Sequence, residues 1–181
     1  MILKELIILK LITNLVILII SILSIISFRN RKFYSALFFH PNKKLQLYRY
    51  ISYSFIHTNY IHLIVNVFIF FIFGSLVEKN LGEKLYFIFI FLSIVFSILP
   101  YITKDFIIVG FSGCTSALIY FCILQHPAFF WISVPYILYC WYGDYNNIGN
   151  IAHASHLYGS MFAFIFIFIL FPNIIFNIFA L

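Results

Sequence analysis

A serine held between glycines, an asparagine one helical turn from a histidine, and a pair of histidines near the C-terminus are the groups in this chain able to act on a substrate. They form three clusters: His57, His62 and Asn66; Gly110-Phe111-Ser112-Gly113; and His153, His156 and Gly159. A hydroxyl becomes a nucleophile when a base takes its proton, and imidazole is a base that works near neutrality. Gly110 and Gly113 permit a tight turn from which Ser112 projects at a helix start, where free N–H groups and the helix dipole favour developing negative charge. The elbow of soluble hydrolases needs glycine two residues after the serine, where Cys114 stands. His62 and Asn66, spaced i to i+4, share one helix face and can donate to an oxyanion together with the Ser112 backbone N–H.

Each cluster also has a plainer reading. A serine in a membrane helix commonly bonds back to a carbonyl one turn earlier, and His62 with Asn66 can simply join helices. A carboxylate-oriented triad is not expected, because Asp105 and Asp144 sit at span ends while Glu78 and Glu83 lie on the opposite surface. That leaves histidine as the base. His156 is favoured over His153 because Gly159 and Ala163 follow it at i+3 and i+7, giving a small-residue face that lets a neighbouring helix approach. Gly113, Ser116 and Ala117 form a matching seam beside Ser112. His57 is read as structural and nearer the surface. His57, His62, His153 and His156 lack both an H-E-x-x-H helix and an inward carboxylate, so no metal and no cofactor are expected.

The elements that must position these groups cross a membrane. The chain is 64% hydrophobic and 9% charged, against about a quarter charged in soluble domains. A span needs roughly 20 apolar residues, so one domain over residues 1–181 holds about six. The expected spans run from about 11 to 28, 59 to 77, 85 to 102, 106 to 124, 127 to 144 and 151 to 171, followed by a short apolar tail. Between the first two, the basic and aromatic segment 29–49 is expected to lie partly in the interface. The second, fourth and sixth spans start on one side, and a rise of about 1.5 Å per residue puts all three clusters within roughly 11 Å of those starts. Polar groups are costly in hydrocarbon, so their coincidence at one depth points to a site.

The formal charge is +6. The basic residues collect between spans, as in Arg29, Arg31, Lys32, Lys43, Lys44 and Arg49, which suits lipid headgroups and snorkelling and not nucleic acid. Cys114, Cys122 and Cys140 are odd in number, lie in apolar stretches and read as small buried hydrophobes.

At these residues the chain resembles the rhomboid family of intramembrane serine proteases. The motif of histidine, four residues, histidine, three residues, asparagine is met by His57 through Asn66. Tyr48-Arg49-Tyr50 resembles the aromatic-arginine element of the first loop, and Val77 to Gly82 resembles the turn after the second span. Gly110-Phe111-Ser112-Gly113 resembles the nucleophile motif and Ala154 to Gly159 the base motif. The resemblance covers about residues 48–163, within a catalytic core of about 48–171, and implies an all-α, six-transmembrane-helix bundle that cleaves transmembrane segments of membrane proteins. Ser112 and His156 would be catalytic, His62 and Asn66 would hold the oxyanion, and the partners would be transmembrane substrates and membrane lipids. Some family members carry a tyrosine one turn after the serine; Ser116 stands there, leaving Tyr120 or Tyr158 to orient the histidine. The alternatives are an inactive rhomboid-like binding or quality-control protein and a small transporter. The expected location is a bacterial cytoplasmic membrane. Lysine and arginine counts put the mouth of the site in the cytoplasm, whereas the resemblance implies an outward mouth.

Overall fold

The computed structural model describes residues 10–146, 148 and 152–174, and among these the chain is helical, with a lone antiparallel bridge between Phe39 and Ile108 as its β pairing. The helices are α1 Leu11–Arg29, α2 Arg31–Leu37, α3 Arg49–Ser52, α4 Tyr60–Ile69, α5 Ser75–Ile98, α6 Ser112–Leu124, α7 Pro127–Tyr145 and α8 His153–Leu170. A five-residue π-helical stretch, Phe70–Gly74, joins α4 to α5. Gly82, at φ 71°, breaks α5 and lets the chain turn back on itself. The apolar tail expected beyond Pro172 lies mostly outside the described residues.

Helix α1 shows what solvent the fold is built for. Its Thr13, Ser24 and Ser27 are buried, whereas Leu15 and Leu18 are more than half exposed. Water would drive the opposite arrangement; lipid is as apolar as leucine and leaves helix association to packing and hydrogen bonds. Among the described residues, three helical segments, Leu11–Arg29, Tyr60–Tyr101 and His153–Leu170, are long and apolar enough to cross a membrane. The protein is an integral membrane protein.

Buried polar groups fix how the helices sit. Glu78 is buried, and its two carboxylate oxygens accept from the backbone N–H groups of Ile12 and Thr13, each at 3.0 Å. A carboxylate there satisfies orphan donors and complements the helix dipole, so α1 starts beside the end of the second apolar segment. Its far end returns to the loop before α4, where Ser24 meets Phe55 and His57. Glu78 is therefore a buried cap, not the surface residue the sequence suggested. In the centre, Phe89 of α5 meets Phe121, Phe162 and Phe166 with ring centroids 5.0–5.4 Å apart.

The segment between α1 and α4 is structured. Arg49 is buried, and its Nη1 donates to the carbonyls of Ser35 and Phe38 while Nε donates to Gln46. Its outer turn is tied to the segment before α6 by the Phe39–Ile108 bridge and by His40 and Asp105, 3.1 Å apart. That pairing corrects the expected fourth span. Residues 106–111 are not helical, α6 begins at Ser112, and the backbone groups of Ile108 and Gly110 bond to Phe39 and Tyr53. The serine stands at the helix start, as its flanking glycines suggest, although the apolar stretch begins at Phe106.

Candidate active site

The first intrahelical bond of α6 runs from Thr115 N–H to the Phe111 carbonyl, so the N–H groups of Ser112, Gly113 and Cys114 have no acceptor within the helix. Gly110 enters this turn at φ 110°, a conformation that disfavours any side chain. The His62 imidazole fills the space where a Cβ would be, its Cε1 2.7 Å and its Nε2 3.0 Å from that position. Chain reversal and histidine approach thus depend on the same missing side chain.

His62 is started on its helix by Asn59, whose side chain accepts from the His62 N–H at 2.9 Å. Its Nδ1 lies 3.1 Å from the Thr58 hydroxyl. When that hydroxyl donates, Nε2 carries the proton on the side facing Gly110. Asn66, one turn on, is buried; its Nδ2 donates to the His62 carbonyl at 2.8 Å and its Oδ1 accepts from Thr115 at 3.3 Å. Among the described residues, no acceptor is recorded for the second amide proton of Asn66.

His57 is more than a surface residue. It is fully buried; Nε2 accepts from the Phe111 N–H at 3.4 Å and Nδ1 lies 2.9 Å from Ser24 Oγ, whose own hydroxyl donates to the Phe55 carbonyl. These partners assign the proton to Nδ1. Burial, and then the neighbouring His62, push the His57 pKa down to about 3, so the ring is neutral. It ties α1 to the peptide immediately before Ser112.

Helix α8 packs against α6 through glycines. A Cβ on Gly159 would run into the Gly113 carbonyl, and one on Gly113 would meet Ser97 and Ser155. This contact brings His156, one turn before Gly159, over the helix start that carries Ser112. Ser112, His156, His62 and Asn66 all line one cavity of about 680 Å³, together with His153. Among the described residues no hydrogen bond joins the Ser112 hydroxyl to the His156 ring. Catalytic pairs are often long before substrate closes on them.

His153 is engaged elsewhere. Buried, it lies with Nε2 3.1 Å from the Ile148 carbonyl, edge-on to Tyr139, over Gly143. No group of histidines, cysteines and carboxylates able to hold a metal ion occurs among the described residues.

A sequence model of the Rhomboid domain matches residues 44–173. The chain belongs to the rhomboid family. No curated relative matches it. In this rhomboid the position one turn after the serine, Ser116, bonds at 2.9 Å to the hydroxyl of Tyr136 from α7. Tyr136 and Tyr139 line the cavity, whereas Tyr120 bonds to Ser133. Sequence reasoning missed Tyr136 because it lies on a helix without a motif, and only packing shows which face meets α6. Lys104 clasps both oxygens of Asp144, at 2.7 Å each, and ties the end of α7 to the α5–α6 connection.

Proposed function

We propose that this rhomboid is an intramembrane serine endopeptidase, built from six membrane crossings, that cuts transmembrane segments of other membrane proteins. The observation that carries the reading is the single cavity lined by Ser112, His156, His62 and Asn66 at the free N-terminus of α6. Ser112 Oγ attacks the scissile carbonyl while His156 accepts its proton. The carbonyl oxygen, now an anion, takes hydrogen bonds from His62 Nε2–H, the second Asn66 amide proton and the backbone N–H at Ser112. His156 returns the proton to the departing amine, leaving an acyl-enzyme. Water, deprotonated by His156, then releases the acid and restores the serine. The cavity supplies that water a route inside the membrane.

The test is cleavage of a reporter carrying one transmembrane segment by purified protein in liposomes. Wild type cuts it, and Ser112→Ala and His156→Ala do not while remaining folded and inserted. Cleavage that survives Ser112→Ala refutes the reading; an inert wild type favours the inactive binding protein. The mouth of the site faces away from the cytoplasm of a bacterial cell. Asp105, 88% exposed in its side chain, is the reporter position: Asp105→Cys should react with an impermeant thiol reagent on intact cells.

A further inference from the structure

Thr58 belongs to two cavities. One is the cavity of Ser112; the other, of about 450 Å³, is walled by Arg31, Tyr34, Ser35, His57 and Thr58 at the end of α1. Residues 29–49 carry six basic groups, Arg29, Arg31, Lys32, Lys43, Lys44 and Arg49, and no acid. Arg49 is spent on backbone carbonyls. Arg31 is exposed, and the ion pairs among the described residues do not include it. A guanidinium fork beside a hydroxyl donor matches the oxygens of a phosphate. Burial raises the Tyr34 pKa, which keeps its hydroxyl a donor.

The surroundings select among phosphates. Ile22, Ile25 and Ile26 of α1 are exposed next to this end of the helix, and Phe28 packs on Tyr60 at 4.5 Å. An acyl chain can lie along those residues while its headgroup enters the cavity. We propose that the second cavity binds the phosphate of an anionic membrane lipid, with Arg31 as charge partner and the Tyr34 hydroxyl as donor. The bound headgroup has a line to the first cavity. Thr58 also bonds His62, and His57, in the same wall, bonds the peptide before Ser112. The influence on catalysis rests on the protease reading; the binding does not.

The test is therefore a binding measurement. The full chain in maltoside micelles is titrated with phosphatidylglycerol, with a monoacylglycerol of the same acyl chain, and with inorganic phosphate, while the thermal unfolding midpoint is followed. Phosphatidylglycerol should raise the midpoint saturably, with about tenfold weaker apparent affinity in Arg31→Gln, since a charge-assisted pair is lost. Lys32→Gln, a neighbour outside the cavity, should match wild type. Equal weakening in Lys32→Gln, no Arg31 dependence, or an equal rise with monoacylglycerol would overturn the site. A saturable, Arg31-dependent rise with inorganic phosphate at the same concentrations would overturn the lipid assignment in favour of a free anion.

Discussion

Replacing His57 should cost stability in a way that depends on pH. His57→Leu removes the acceptor of the Phe111 N–H and the donor to Ser24, although Ser24 keeps its bond to Phe55. A buried N–H left unmatched costs about 1–3 kcal/mol and the lost second bond about 1 kcal/mol, so roughly 2–4 kcal/mol in total. His57→Gln, whose side-chain oxygen can reach the Phe111 N–H, should recover about half. The pH dependence follows from the ring's buried, neutral state. Its folded pKa, about 3, lies below the ordinary 6.5. The unfolded chain therefore binds a proton that the folded chain refuses. The stability this neutral ring contributes is present in full above about pH 6.5 and is lost as pH falls toward 3, by up to about 1.4 kcal/mol per pH unit. The assay is reversible unfolding in mixed micelles from pH 4 to pH 8. Wild type minus His57→Gln should slope with pH below 6.5 and be flat above it. Parallel profiles for the two proteins would refute both the burial and the hydrogen-bond assignment.

Gly159→Ala places a methyl group against the Gly113 carbonyl and should lower both reporter cleavage and unfolding midpoint, whereas Ala163→Gly, at a position already occupied by a methyl, should leave α6 and α8 in register; cleavage and melting in the same liposomes check both. Glu78→Gln removes the charge that accepts from Ile12 and Thr13 and should destabilise the chain by about 2 kcal/mol, measured by unfolding in micelles. Tyr136→Phe deletes the partner of Ser116 in the cavity wall and should cost about 1 kcal/mol of stability while altering which reporter segments are cut, read from relative kcat/KM.

The chemistry of the site was more legible in the sequence than its supports. Polar residues in an apolar chain stand out, and spacing alone places His62 with Asn66 and His156 with Gly159. The start of α6 was not legible from hydropathy. Phe106, Ile107, Ile108 and Val109 read as span, yet their segment is not helical because backbone pairing to Phe39 and Tyr53 holds it. The β-branched run ending in Gly110 was the available signal. His57 seemed peripheral by counting residues from the helix; the short helical turns before it fold that loop inward against α1. Glu78 and Tyr136 gain their roles from partners more than fifteen residues away, which no local pattern encodes.

Intact-mass analysis of the folded protein after exposure to a fluorophosphonate measures whether Ser112 is an activated nucleophile. One adduct should form on wild type, map to Ser112, and be absent from Ser112→Ala and strongly reduced in His156→Ala. Labelling of Ser112 at an undiminished rate without His156, or an adduct on another serine in folded wild type, would contradict the pairing of hydroxyl and imidazole on which the assignment stands.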